Sequence, residues 1–266
     1  MSQNATPRIS VVTVSFNARD CIGATLRSVC GQDYPALDYI VIDGGSTDGT
    51  QEVIAPFRDR IAHYVSEPDG GIYFGMNKGI AAATGDFLLF LNAGDIFSDE
   101  KVLSDTAAFI CAHPEADVIY GDSEQVLEYG SYRIKPQAPF SGNKIGVSHQ
   151  ATFVRTALLR LHPFDTRYRY AADSEQLSWF YLEGYPFVYF DRLIATVEMR
   201  DGATYRHFIE SANELYDIIE ARGIDVSRER KVQIRRKKFI RAVRNFLPPK
   251  LRNPLFRFLA RHYKVL

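Results

Sequence analysis

Apolar residues fall in blocks of alternating period along the first 95 positions. "RISVVTVSF" (8–16) is β-branched and nearly unbroken by polar residues, the pattern of a strand buried on both faces. "ARDCIGATLRSVCGQ" (18–32) spaces Ile22, Leu26 and Val29 three to four apart, which predicts a helix with Asn17 as its cap. "LDYIVID" (37–43) reads as a second strand, "STDGTQEVIAPF" (46–57) as a short helix and "IAHYVSE" (61–67) as a third strand. "GIYFGMNKGIAAATG" (71–85) predicts a helix closed by Gly85, and "DFLLFLNAGD" (86–95) a fourth strand that runs into a turn. This alternation predicts an α/β fold, a Rossmann-like, mostly parallel sheet with helices on both faces.

The second half is less regular. It predicts a helix over 100–112, a strand over 116–122 and a hairpin over 126–135 about Gly130. A helix over 171–184 ends at Gly184, the strand-like "PFVYFDRLIATVEM" follows, and a helix over 206–223 closes the body. Beyond it, "RKVQIRRKKFIRAVRNFLPPKLRNPLFRFLARHYKVL" puts Val232, Phe239, Val243 and Phe246 on one helical face with basic residues around the rest. Pro248 and Pro249 break that helix, and a second short one carries Leu255, Phe258 and Leu259.

Composition adds one division. At 266 residues, 46% apolar and 24% charged, the chain has the make-up of a globular protein with one large domain. Its net charge of zero hides 14 Lys/Arg against the single acid Glu229 from Arg228 onward, so the body holds 18 basic and 31 acidic side chains. We therefore divide the chain into a domain over 1–227, with halves at about 8–95 and 96–223, and a basic amphipathic tail over 228–266. Such a tail suits the headgroup layer of an anionic membrane, with docking on the acidic body, nucleic-acid binding and an oligomer contact as the other readings. Cys21, Cys30 and Cys111 have no metal-like spacing, and a reducing cytosol suits them. "MSQNATPRIS" lacks the apolar core of a signal peptide, and no apolar run approaches the length of a membrane span.

In sheets of this kind ligands bind beyond the carboxyl ends of the strands. The loops there, "SFNARD", "DGGSTDGT", "SEPDGG" and "NAGD", are rich in Asp, Asn, Ser and Gly. No G-x-G-x-x-G follows the first strand, which excludes a dinucleotide-binding dehydrogenase, and no Walker motif, zinc spacing or Ser-His-Asp elbow occurs. Asp43 ends the second strand, Asp69 follows the third and Asp95 follows the fourth. Alone, each would be read as a turn former or cap. Together on one edge they suit the hydroxyls and N–H of a nucleoside and a hard divalent cation, Mg²⁺ or Mn²⁺.

The run from "ISVVTVSFNARD" through "DYIVIDGGSTDGT" and "SEPDGGIYFGMNKG" to "DFLLFLNAGD" resembles the family 2 inverting glycosyltransferases, whose catalytic domain is the GT-A fold. The resemblance extends over about residues 8–200. It implies Thr13 and Ser15 beside the base and diphosphate, Asp43 on the base, and Asp69 and Asn77 flanking nucleoside and donor sugar. "NAGD" corresponds to the family's metal-binding element, so Asn92 and Gly94 line the nucleotide-sugar and Asp95 ligates the cation. Gly44 and Gly94 stand where relatives often carry a second acid. "AADSEQLSWFYLEG" resembles the helix that starts with the catalytic base, which makes Asp173 that base, with Ala172 in place of a preceding acid.

Around these, His149 in "GVSHQATFVR" is read either as structural or as reaching donor phosphates or acceptor, and His207 as a candidate second metal ligand. Arg155, Arg200 and Arg206 are candidates for a phosphate, and the aromatic cluster about Trp179 is read as core that includes an acceptor platform. The expected activity is transfer of a sugar from a nucleotide-sugar, UDP being the family's usual carrier and GDP or dTDP also compatible. The acceptor is a glycan or lipid-linked hydroxyl at the inner face of the cell membrane, and no nucleic acid is expected as a partner. The rivals are a catalytically silent nucleotide- or glycan-binding protein, which the missing acids favour, and a sugar-phosphate nucleotidyltransferase.

Overall fold

A computed structural model describes residues 6–136, 138–141, 144–200, 207–248, 250–251 and 253–257. Arg206, Pro249, Phe258 and Leu259, singled out above, lie outside these. The N-terminal half alternates as its periodicity predicts: β1 (Ile9–Ser15), α1 (Ile22–Cys30), β2 (Leu37–Asp43), α2 (Thr50–Ile54) with a following 3-10 segment, β3 (His63–Ser66), α3 (Ile72–Ala82) and β4 (Phe87–Phe90). β1 pairs in parallel with β2 and β4, and β2 with β3. Alternate residues of β1 face opposite cores: Ile9 and Val11 pack with α1, Val12 and Val14 with α3. Burial on both faces explains the unbroken apolar runs. α3 lies unusually close to β1, because a Cβ at Gly75 or Gly79 would meet Val14 or Val12 at 2.8 and 2.4 Å.

Several boundaries differ from the expectation. Asn17 does not cap α1; it adopts φ +47° and its Oδ1 accepts the Thr47 N–H, so it braces one loop against the next. α3 ends at Ala82, and Gly85 instead lets the chain pass close to the backbone of Arg8 and Ser10.

The mostly parallel sheet needs correction, because the second half makes it mixed. It contributes β5 (Ile96–Phe97), α4 (Val102–Ala112), β6 (Val118–Leu127), β7 (Gly130–Ile134), the small hairpin β8 (Phe140–Ser141) and β9 (Lys144–Ile145), and β10 (Thr152–Arg155). α5 (Thr156–Leu161), α6 (Ala172–Leu182), β11 (Phe187–Glu198), α7 (Phe208–Glu220) and α8 (Ser227–Phe246) follow. The order is β3-β2-β1-β4-β10-β6-β11-β5, with β7 on β6. β10 runs antiparallel to both neighbours, β4 and β6, and so sits reversed at the centre. β6 and β11 run parallel to each other and extend past the ligand-binding edge, where the β6–β7 hairpin projects.

The basic tail is not a detached appendage. Ile240 and Val243 of α8, with Phe256 beyond it, pack on Leu127, Tyr129, Tyr132 and Met199. The Arg257 guanidinium donates to the Tyr129 carbonyl at 2.9 Å. Val243 packs on the body at the margin of the same face on which Val232, Phe239 and Phe246 are exposed. No described helix is long and apolar enough to cross a membrane.

Candidate active site

Strand register sets the first layer. Ser15, Asp43 and Ser66 are paired across β1, β2 and β3 at their carboxyl ends. Asp43 accepts from Ser15 Oγ (3.0 Å), Ser66 Oγ (2.7 Å), the Ser46 N–H (2.9 Å) and the Ser46 hydroxyl. Burial pushes its carboxyl up, but these bonds outweigh it and hold it below the ordinary range. Thr13 is deeper still, its hydroxyl 3.1 Å from Tyr39 Oη and donating to the Leu91 carbonyl at 2.8 Å. Thr13, Ser15 and Asp43 thus form the floor beneath the loops, a buried polar layer that fixes three strand ends.

Above that floor stands Phe16, 68% exposed, a residue the sequence reading passed over. A Cβ at Gly44 would lie 3.4 Å from the Phe16 ring and from both oxygens of Asp69, so these three meet at one spot. A second acid at 44 would be driven against the Asp69 carboxylate. Asp69 also accepts the Gly71 N–H at 2.9 Å. Asn77 spends its side chain elsewhere: it donates to the Phe164 carbonyl and accepts the Phe164 N–H, both at 2.9 Å. That bidentate clamp fixes the segment before α6.

At the exit of β4, backbone pairing continues past the strand, with the Ala93 N–H on the Val14 carbonyl at 3.1 Å. Thr25 of α1 then stitches the turn, accepting from the Gly94 N–H (3.0 Å) and donating to the Asp95 carbonyl (2.7 Å). Gly94 has φ +104°, and a Cβ there would lie 3.8 Å from Cys21 and Glu198. There is space for a side chain but not the backbone conformation for one, which is why the turn carries one acid. Asp95 is buried, and Oδ1 accepts the Glu198 N–H at 2.9 Å. Burial raises its carboxyl to about 6, against the opposing pull of the Glu198 amide, the His149 charge and the Gln150 amide.

The third element is the start of α6. Asp173 lies in its first turn, Oδ2 3.0 Å from His149 Nδ1 and Oδ1 accepting from Tyr73 Oη at 3.0 Å. Burial would raise its carboxyl, but the His149 bond and charge and the Tyr73 hydroxyl prevail and lower it. The other face of the same imidazole, Nε2, is 3.4 Å from Asn92 Nδ2. His149 therefore joins the β4 exit to the α6 start, two places 81 residues apart in sequence. Glu214 of α7, also missed from sequence, accepts the N–H groups of Arg169, Tyr170 and Ala171 at 3.0, 2.7 and 3.0 Å and so fixes the turn that presents Asp173.

The remaining candidates are placed elsewhere. The His207 ring is stacked on Tyr170 at 4.9 Å, before α7. Arg200 pairs with Glu198 beside the β4 exit, whereas Arg155 binds Asp117 (2.6 Å) at the opposite edge of the sheet. Among the described residues no group of three or more His, Cys, Asp or Glu side chains is arranged to hold a metal. Asp95 alone suits a Mg²⁺ or Mn²⁺ that takes most of its oxygens from a diphosphate and water. The only early signal for Tyr73 and Glu214 was their residue type, because both act across about 45 to 100 residues of sequence.

The profile of the family described as "Glycosyl transferase family 2" matches residues 10–158. An uncharacterized glycosyltransferase of Mycobacterium tuberculosis (strain ATCC 25618 / H37Rv) is 36% identical over 176 residues, 64% of this chain and 67% of that protein. Among solved structures, S. aureus TarS 1–349 in complex with UDP has a TM-score of 0.64 at 23% identity, covering 89% of this chain and 72% of TarS 1–349. The mannosyltransferase PcManGT from Pyrobaculum calidifontis, in complex with GDP-Man and Mn²⁺, has a TM-score of 0.65 at 17% identity, covering 98% and 83%.

Proposed function

The chain belongs to glycosyl transferase family 2, and from that premise we propose that it transfers a sugar, with inversion, from a nucleoside-diphosphate sugar to a hydroxyl of a glycan or lipid-linked acceptor. The observation that carries this reading is His149, which meets Asp173 through Nδ1 and Asn92, in the turn that bears Asp95, through Nε2. One imidazole thus ties together an acid suited to a proton and the turn of an acid suited to a cation. Inversion requires attack on the anomeric carbon from the face opposite the leaving nucleotide, so a base and the diphosphate's counter-charge belong on opposite sides of the sugar.

In this reading the base of the nucleotide lies against Phe16 and Asp69, above the floor made by Thr13, Ser15 and Asp43. Asn77 serves as a brace rather than a donor contact. A Mn²⁺ or Mg²⁺ held by Asp95 supplies charge stabilisation at the departing diphosphate. Asn92 and Gly94 form the turn on which that acid sits. Asp173 receives the acceptor's proton: its lowered carboxyl keeps it ionised at neutral pH, and each oxygen retains a second lone pair beside its Tyr73 or His149 bond. His207 is assigned to the Tyr170 stack rather than to the cation. UDP is the proposed carrier; the TarS and PcManGT complexes contain UDP and GDP-Man respectively, which keeps GDP as the comparison.

The tail fits attachment to the inner face of the cell membrane. Val232, Phe239 and Phe246 recur every seven residues and are 57, 69 and 88% exposed, among Lys231, Arg235, Arg236 and Lys238. One helix face thus docks on the body while another offers apolar and cationic groups to anionic lipid. The test is release of nucleotide from a panel of UDP- and GDP-sugars with Mn²⁺ and a lipid-linked acceptor. Binding of nucleotide with no turnover across the panel would replace this reading by the silent-binding one.

A further inference from the structure

α3 starts at the donor end of the site. Asp69, which meets Phe16 and Gly44 at one corner, is seated on its first turn: Oδ1 accepts the Gly71 N–H at 2.9 Å, and a Cβ at Gly75 would stand 3.2 Å from Oδ2. The same Cβ would lie 2.8 Å from Val14 of β1, so glycine is what lets strand, helix and carboxylate close on one another. Asp69 therefore rests on the helix backbone itself, and a ligand that draws on its carboxylate bears directly on the start of α3.

That first turn also carries Tyr73, and Asn77 follows four residues on, on the same face of the helix. Together they grip the segment that leads to α6. The Tyr73 ring packs on Phe164 with centroids 5.3 Å apart, Asn77 bonds the Phe164 backbone twice at 2.9 Å, and the Tyr73 hydroxyl donates to Asp173 Oδ1 at 3.0 Å. Tyr73 is buried, and burial, with the Asp173 charge after it, pushes its hydroxyl well above the ordinary tyrosine range. It therefore keeps its proton and remains the donor. Asp69 and Asp173 are remote in sequence, yet one helical turn, 71–75, lies between them in this chain of contacts.

We propose that Tyr73 is a positioning residue that couples the donor subsite to the catalytic base: a nucleotide held at Asp69 fixes the start of α3 and, through the Tyr73 hydroxyl, the aim of the Asp173 carboxylate. This rests on the reading of Asp69 and Asp173 above and adds to it a physical link between donor occupancy and the geometry of proton removal. An acceptor hydroxyl then meets a base that is fully aimed only when the donor is in place.

The test uses the full chain and Y73F, which removes the hydroxyl and keeps the ring on Phe164. Hydrogen exchange of peptides spanning 164–175 is followed with and without UDP, a measurement that needs no turnover. UDP should slow exchange there in the wild type and leave it unchanged in Y73F at matched saturation. With the best donor, Y73F should lower kcat about 10–100-fold, the cost of a misplaced reacting group, and change KM for that donor far less. The acid limb of its kcat–pH profile should move upward, because the Tyr73 hydroxyl is one of the groups that hold the Asp173 carboxyl low; His149 still faces that carboxylate and limits the move. N77A, which loosens the same segment without touching Asp173, should cost stability and rate but leave the limb in place. A wild-type chain that binds UDP with no change over 164–175 would overturn the coupling, and this arm needs no variant to fold. A limb that stays put in Y73F, or moves equally in N77A, would overturn it too. A wild-type chain that does not bind UDP at all would instead overturn the reading of the donor subsite.

Discussion

Replacing Asp95 by Asn should stabilise the metal-free protein while abolishing its response to metal. The carboxyl is raised from 3.8 to about 6, chiefly by burial. The folded state thus keeps its proton to higher pH than the unfolded chain. Its contribution is fully present below pH 4 and is lost as pH climbs through 6. At 1.36 kcal/mol per unit, the ionised side chain costs ~3 kcal/mol at pH 7.5. Asn keeps an oxygen for the Glu198 N–H but buries an NH₂ in place of the second oxygen, a cost of about 1 kcal/mol. The net gain of ~2 kcal/mol corresponds to roughly 4–8 °C in melting temperature for a chain of this size. Thermal unfolding in EDTA at pH 7.5 measures it. At pH 4 the wild-type carboxyl is protonated and the advantage should vanish or reverse. With UDP present in both, adding Mn²⁺ should raise the wild-type midpoint further and leave that of the variant unchanged. An Asp95→Asn protein no more stable than wild type at pH 7.5, or with the same advantage at both pH values, would refute the buried-charge argument.

Other outcomes follow from the same geometry. Asp173→Asn should lower kcat by about 10²–10⁴-fold, the usual worth of a positioned base, with UDP affinity by calorimetry little changed. Glu214→Ala leaves the N–H groups of Arg169, Tyr170 and Ala171 without their acceptor, and urea unfolding should register a loss of about 1–3 kcal/mol together with a fall in kcat. Phe239→Asp should reduce sedimentation with vesicles containing anionic phospholipid and leave transfer to a short soluble acceptor intact; unchanged partitioning would sink the membrane role of the stripe.

The legible features of the sequence were those set by nearest neighbours. β1, β2 and β4 announce themselves because both faces are buried, and the acids follow directly from the strand ends. What pairs with what was far less visible. β10 is a short apolar run like any other, and only its partners make it the reversed central strand. Asn17 and Asn77 have residue types that suit a cap or a ligand contact, but the loops facing them recruit both as backbone braces. In the site, the resemblance pointed to Asp95 and Asp173, while Tyr73 and Glu214 become meaningful only through distant contacts. Along α8, helical periodicity groups Val243 with Val232, Phe239 and Phe246 but could not show that the β6–β7 hairpin covers it and leaves the others exposed.

The reversed central strand has a consequence for the order of assembly. β3, β2, β1 and β4 are all made by residue 90 and pair only with one another up to that point, so this half can form early in synthesis. β6 cannot join them until β10, at residues 152–155, arrives to bridge β4 and β6. His149, which meets Asp173 and Asn92, lies in the segment immediately before that bridging strand. Joining of the two halves of the sheet therefore waits for β10, and the second acid waits longer still, since Asp173 on α6 and the outer strand β11 are made only after it.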